Sequence, residues 1–304
     1  MRVDTARLPF LGAGLVLVVV AAVAGCSGSP SGPGSGSGSG SGTPAAGSAL
    51  DAVKLAAKTA SGATSFTGTM SLKVTPKPEA SAASGAAAGD VSMSATFAEQ
   101  LHPSLLASVD IGTLSAAGQS LPGGLSEIIT PATLYLKWSF LTSTLHMSKP
   151  WLAIPVSSMS ASSGINLSQI FASAQSSGPL TESQLLAGAS SVHQTGTGTI
   201  DGTPVTEYTG TLPLDKGIAF LSGSAKTQVQ QAIATAGFKT ATFTVWIDGQ
   251  HLVRKSVVTE IGKSVTETVT TTITSIDKPV NIPVPPASQT TSLPASALSS
   301  GSGI

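Results

Sequence analysis

Apolar and polar residues alternate over several stretches in the first half of the chain, as they do in β-strands with one buried face. The clearest stretch is SFTGTMSLKV (65–74), in which Phe66, Met70 and Leu72 alternate with polar residues. Further strands are predicted at VSMSATFAEQL (91–101), SLLASVDI (104–111), TLYLKWSF (133–140) and KPWLAIPV (149–156). The Ala/Ser/Gly-rich segments 79–90 and 114–124 are predicted to be exposed loops.

The second half of the chain has the most regular alternation. Two strands are predicted around an Asp201-Gly202 turn, and a three-stranded antiparallel meander follows near 241–247, 251–261 and 264–275. The last strand places Val265, Val269 and Ile273 on one face and Ser or Thr at every even position from 264 to 274 on the other. This pattern predicts a sheet that is apolar on one face and solvated on the other.

Periodic apolar positions also predict short helices. SALDAVKLAAKTA has Ser48 as its N-cap, Asp51 in capping-box position, and Gly62 as its stop. Other helices are predicted from Asn166, over TESQLLAGA with Thr181 and Gln184 in a capping box, and over AKTQVQQAIATAGF. The Pro-rich segment 277–286 is predicted to be extended. The fold class is therefore α+β, with a large curved antiparallel sheet and several short helices packed on one side.

The first residues have the anatomy of an export signal, with Arg2 and Arg7 before an apolar run from 8 to 23. The run ends in Val23-Ala24-Gly25-Cys26, which resembles the lipobox of bacterial lipoproteins and contains the only cysteine of the chain. This resemblance implies that Cys26 receives a diacylglyceryl group, becomes the mature N-terminus and anchors the protein to the membrane.

The alternative is an uncleaved membrane-spanning helix over 8–25, which Pro9, Gly12 and Gly14 make less favourable. The Gly/Ser-rich segment after Cys26 is typical of a flexible linker. The predicted organisation is a lipoprotein signal peptide (1–25), an acylated cysteine with its linker (26–47), a folded domain (48–286) and a polar disordered tail (287–304). This organisation predicts an exported protein on the outer face of the cell membrane.

Charge and candidate chemistry restrict the function further. Charged residues make up 10% of the chain and the formal net charge is zero, which gives no electrostatic basis for nucleic-acid binding. His102, His146, His193 and His251 are far apart and lack metal-ligand spacing. The SIDK and GKS motifs lack the helix start and the upstream glycine that acyl transfer and phosphate binding require. We therefore predict a protein that is not an enzyme, without cofactor or metal.

The order of these elements resembles that of the LppX/LprG-type lipoproteins of actinobacteria. The resemblance rests on TLYLKW with KPWLAI, on LLAGASSVHQTGTGTIDGTPVTEYTGTL, and on ATFTVWIDGQHLVRKSVV with the KPVNIPVP close. It implies a half-open β-barrel with helices on its concave side, enclosing an apolar cavity for the acyl chains of envelope lipids or glycolipids.

Large apolar side chains are the candidates for lining such a cavity, and we predict Trp138, Trp151, Trp246 and Phe243. The alternative for each is ordinary packing in the core or on the sheet. For the whole protein, the alternative to a lipid carrier is an interaction or sensor module of the cell envelope without a lipid ligand.

Overall fold

A computed structural model describes residues 48–77, 89–120, 124–144, 146–155, 179–221 and 223–292. The signal segment, Cys26, the linker and the helix predicted from Asn166 lie outside these ranges. The strands are β1 (Ser65–Pro76), β2 (Val91–Gln100), β3 (Leu106–Ala116), β4 (Gln119–Ser120), β5 (Leu125–Ile129), β6 (Thr133–Lys137), β7 (Trp151–Pro155), β8 (Ser190–Ile200), β9 (Thr203–Pro213), β10 (Thr240–Asp248), β11 (Val253–Ile261), β12 (Val265–Ile276) and β13 (Thr290–Ser292). The helices are α1 (Ala49–Ala60), α2 (Ser139–Thr144), α3 (Pro179–Leu185), α4 (Leu214–Ile218) and α5 (Gly223–Ala236), and a 3₁₀ turn (Leu186–Gly188) follows α3.

The described strands form one 13-stranded sheet in the order β13-β7-β6-β5-β3-β2-β1-β12-β11-β10-β9-β8, with β4 paired to β3. Neighbouring strands are antiparallel except for β13, which runs parallel to β7. Because β1 pairs with β12, the two halves of the chain join in the middle of the sheet. The predicted class, a curved antiparallel sheet with short helices, is confirmed.

Helix α1 begins as predicted. The Asp51 backbone N–H donates to Ser48 Oγ at 3.2 Å, and the Ser48 N–H donates to Asp51 Oδ2 at 3.1 Å, which completes a capping box. The helix ends at Ala60 with Ser61 as its C-cap, directly before the predicted Gly62. Its buried face consists of Val53, Ala56, Ala57 and Ala60, so its small side chains allow the helix to lie close to the sheet.

The turns show why some loop predictions hold and others fail. Asp201 and Gly202 have φ of 48° and 76°, as a two-residue hairpin requires, and this prediction is confirmed. Ala117 and Gly118 have φ of 52° and 76° in the same arrangement. The segment 114–124, predicted to be a loop, therefore contains the β3–β4 hairpin, because its Ala-Gly pair takes the role usually filled by Asn-Gly.

Three predicted boundaries are corrected by the structure. The strand predicted over 133–140 ends at Lys137, and α2 follows it, with the Thr142 N–H donating to the Trp138 carbonyl at 3.1 Å. Helix α3 begins at Pro179, a residue favoured in the first helical position, so Thr181 lies inside the helix and is not its cap. The predicted tail from Ala287 begins with a 3₁₀ turn and the edge strand β13.

The buried apolar residues form two clusters on one face of the sheet, which we name the inner face. The first core lies on β1–β3, β5–β7 and β12, and includes Met70, Met93, Phe97, Ile129 and Leu152. The second core joins β9–β11 to the helices, and includes Val53, Leu186, Leu214, Phe243 and Val245. Helices α1, α3, α4 and α5 contribute side chains to the second core and so lie on the inner face, whereas the opposite outer face carries exposed threonines such as Thr69, Thr96 and Thr242.

The inner face is less apolar than the sequence pattern predicts. On β12, Glu267 and Thr271 occupy the odd positions between Val265, Val269 and Ile273, and so share their face. Thr271 is buried. The even positions carry the predicted hydroxyl side chains, but the opposite face is mixed.

Candidate functional site

A small, partly open cavity lies between the inner face of the sheet and the cover formed by α3 and its 3₁₀ turn. Its volume is about 20 Å³, enough for about one water molecule. Residues of both cores line it, since Phe66 and Ile273 belong to the first and Leu186 and Val253 to the second. The complete lining is Ala60, Phe66, Glu182, Ser183, Leu186, Leu252, Val253, Ser256, Thr271, Ile273 and Ile276.

Glu182 supplies the charged group of this cavity from the cover. Thr271 Oγ1 donates to Glu182 Oε2 at 3.3 Å, while Glu182 Oε1 is buried without a hydrogen-bond partner among the described residues. Burial raises the pKa of the Glu182 carboxyl, and the hydroxyls of Ser256 and Thr271 act against this shift. Ser256 and Thr271 lie directly opposite each other on β11 and β12, so the Glu182 carboxyl packs against a cross-strand pair of hydroxyl side chains.

Glu99 lies beside the cavity on the inner face of β2, directly across from the cavity-lining Phe66. Its surface is 0% exposed, and neither carboxyl oxygen has a hydrogen-bond partner in the described part of the chain. Burial raises the pKa of Glu99 to about 8. Glu127, on the inner face of β5, is 7% exposed, and burial raises its pKa to about 8 as well.

A pair of glutamates lies further along β11 and β12, where Glu260 and Glu267 are directly opposite each other. Burial, and then the neighbouring charges of Glu267 and Glu182, raise the pKa of Glu260 to about 7. Burial raises the pKa of Glu267 too. Only the Val258–Val269 pair of the inner face separates these carboxyls from Ser256 and Thr271, so acidic groups continue outward from the cavity.

The structure separates the predicted site residues. Phe243 is 3% exposed in the second core, and its ring lies over Gly210 of the neighbouring strand. Trp246 lies on the outer face, where its Nε1 donates to Glu207 Oε2 at 3.1 Å and Lys255 Nζ is 4.8 Å from its ring centre. Trp151 has Lys137 Nζ at 5.8 Å from its ring centre, and Trp138 follows the end of β6. None of these four residues lines the cavity described above.

Sequence reasoning missed the inner-face glutamates. The signal was present for Glu99, because the alternation of Met93, Ala95 and Phe97 puts position 99 on the buried face. It was also present for Glu267, which interrupts the apolar positions of β12. A charged residue in an apolar position is a stronger indication of function than a large aromatic residue, because its burial has to be compensated.

Two other classes of site are absent from the described part of the chain. No group of three or more His, Cys, Asp or Glu side chains there is placed to hold a metal ion. Among the same residues, no helix combines the length and the apolar character needed to cross a membrane.

No protein-family model matches the chain, and no curated protein matches its sequence. Among solved structures, the chain is similar to the Mycobacterium tuberculosis lipoprotein LppX, with 18% identity and a TM-score of 0.43 over 77% of this chain and 98% of that chain. It is also similar to LprF from Mycobacterium bovis, with 14% identity and a TM-score of 0.43 over 78% of this chain and 96% of that chain. Both names fall within the LppX/LprG-type group that the sequence resembles.

Proposed function

We propose that this chain is an exported lipoprotein, anchored through acylated Cys26, that binds an acyl lipid or glycolipid of the cell envelope between its sheet and its helical cover and does not transform it chemically. The observation that carries the proposal is the small cavity at the junction of the two apolar cores. A lipid inserted there would contact apolar side chains of both cores at once.

Binding requires the cover to move. Pockets for small molecules measure about 300–1,000 Å³, and the closed cavity is more than tenfold smaller. Helix α3 has seven residues, fewer than the roughly 12 that an isolated helix needs, so its stability depends on packing against the sheet. Glu182 weakens that packing, because a carboxyl oxygen without a partner is costly to bury. The cover is therefore the part of this site that we expect to open first.

The alternative, an interaction or sensor module of the envelope without a lipid ligand, is favoured by the small volume of the same cavity. If the cover stays closed, the space admits about one water molecule and no acyl chain.

Native mass spectrometry separates the two functions. The full-length chain is purified from the membranes of an actinobacterial host in a neutral maltoside detergent, and its mass is measured before and after lipid extraction. The carrier proposal predicts one extractable lipid per chain in addition to the covalent anchor. A chain that carries only the covalent anchor at every detergent concentration would favour the interaction module.

The anchor has its own test. Labelled palmitate is expected to be incorporated by the wild-type chain and by Ser27→Ala, but not by Cys26→Ser. Incorporation into Cys26→Ser would refute acylation at this position and leave the lipid-binding result unaffected.

A further inference from the structure

The polar groups on the inner face are predominantly acidic. Besides hydroxyl residues, it carries the carboxyls of Glu99, Glu127, Glu260 and Glu267, and the cover adds that of Glu182. The ion pairs of the described residues join Lys73 to Asp90, Lys216 to Asp215 and Arg254 to Asp248. None of these pairs includes an inner-face glutamate, so no cation of the described chain compensates the acidic groups.

One of these carboxyls lines the cavity, and a second lies next to one of its lining residues. Glu182 reaches it from the cover, and its buried Oε1 has no hydrogen-bond partner in the described residues. Glu99 lies across from Phe66, and side chains at such directly opposed positions have Cβ atoms about 5 Å apart. Both oxygens of Glu99 are likewise buried without a described partner. The cavity and its immediate surroundings thus hold three buried carboxyl oxygens without a partner among the described residues.

The chemistry of these acceptors distinguishes between ligand headgroups. A carboxylate or phosphate would bring negative charge to a region that already contains Glu182, Glu260 and Glu267, and would leave the acceptors without donors. A hydroxyl supplies one donor and no charge. An ammonium group supplies three donors and a positive charge, and hydrogen bonds between charged partners are about twice as strong as neutral ones.

We propose that the cavity between Phe66, Ser256 and Glu182 receives the positively charged amine of an acyl lipid, with Glu182 and Glu99 as its counter-ions. This inference rests on the proposed lipid-carrier function and specifies the headgroup that the carrier accepts. The acyl chain lies along the apolar cores, and the Glu260–Glu267 pair draws the cation toward the site.

The test compares three probes with the same chain, dodecylamine, dodecanol and dodecanoate. Each is titrated separately at about pH 9, where Glu99 is ionised and an alkyl ammonium is still charged, into the lipid-stripped full-length protein in a neutral maltoside detergent, and occupancy is measured by native mass spectrometry. We expect dodecylamine to bind at least about tenfold more tightly than dodecanol, and dodecanoate to bind most weakly. Glu182→Gln is expected to reduce the amine affinity to that of the alcohol and to leave dodecanol binding unchanged.

The matched control is Glu207→Gln, which removes a carboxylate of the outer face that accepts hydrogen bonds from Trp246 and Thr195. It should keep the full preference for the amine. If Glu182→Gln fails to fold, Glu99→Gln tests the second counter-ion and should lower the preference in the same direction.

Three results would overturn the inference or its basis. Equal binding of the three probes would overturn the amine preference and leave the carrier proposal intact. A preference that persists in both Glu182→Gln and Glu99→Gln, or that is lost in Glu207→Gln, would place the amine on the protein surface. Binding of none of the probes would contradict the proposed carrier function itself.

Discussion

The same packing arrangement occurs in both cores: an aromatic ring lies over a glycine of the neighbouring strand. In the first core Phe97 lies across from Gly68, and in the second Phe243 lies across from Gly210. The surroundings differ. A Cβ on Gly210 would meet only side chains, the Phe243 ring at 2.6 Å and Val192 Cγ2 at 3.2 Å. A Cβ on Gly68 would also collide with the backbone oxygen of Thr272.

The two glycines therefore differ in what surrounds them. The glycine of the second core is crowded by side chains alone. The glycine of the first core lies at the β1–β12 junction, where the register of the pairing shifts between Thr67 and Gly68, and there the backbone of the neighbouring strand is in the way as well. We infer that the first core is the rigid part of the inner face, and that the second core with its helical cover is the adaptable part.

The largest expected effect is therefore at Gly68. Gly68→Ala should lower the free energy of unfolding by about 3 kcal/mol, because the Thr272 backbone oxygen cannot move away as a side chain can. Gly210→Ala should cost about 1 kcal/mol, because only side chains have to shift. Chemical denaturation of both variants measures the difference. Equal losses would contradict the distinction between a rigid and an adaptable core.

The buried carboxyls predict an intermediate effect that depends on pH. Burial raises the pKa of Glu99 and Glu127 to about 8, so the folded protein binds protons that the unfolded chain has released. The free energy of unfolding should therefore be highest near pH 5 and should fall as the pH rises to about 8.

Glu99→Gln sharpens this prediction for the first core. The variant should show a smaller slope between pH 5 and 8 and should be more stable than wild type at pH 8, whereas Glu207→Gln should keep the wild-type slope. Thermal unfolding across this pH range is the measurement. A slope in Glu99→Gln as steep as in wild type would show that Glu99 is not the buried titrating group.

The smallest effect is expected at the start of α1, which lies against the second core. Ser48→Ala removes the side-chain acceptor of the capping box and should cost about 1 kcal/mol. Ser61→Ala, at the other end of the helix, is the matched control and should cost less. A Ser48→Ala variant as stable as wild type would show that packing on the sheet alone fixes this helix.

The sequence predicted the parts of the fold that local chemistry determines. The Ser48 capping box, the Asp201-Gly202 turn and the alternation in β1 and β10 each involve neighbouring residues, and each is confirmed. The strand β5 was missed, because LSEII carries a glutamate at a buried position and does not alternate. The edge strand β13 was missed because it depends on pairing with β7, more than 130 residues earlier in the chain.

The cavity was harder to predict than the fold. Its lining comes from α1, β1, the cover, β11 and β12, which only the sheet topology brings together. The tryptophans were chosen for their size, yet Trp246 has its partners Glu207 and Lys255 on the outer face. The strand phase of Phe243 and Val245 already places position 246 on that face, so alternation would have been the better guide.

The most direct test of the account is amide hydrogen exchange of the full-length protein with and without bound lipid. If lipid binds beneath the cover, exchange should change in residues 179–188 and in the cavity-lining part of β11, while the Asp201-Gly202 hairpin should exchange at the same rate in both states. Identical exchange of the cover in the two states, or a change confined to the outer face, would contradict binding between the sheet and the helices.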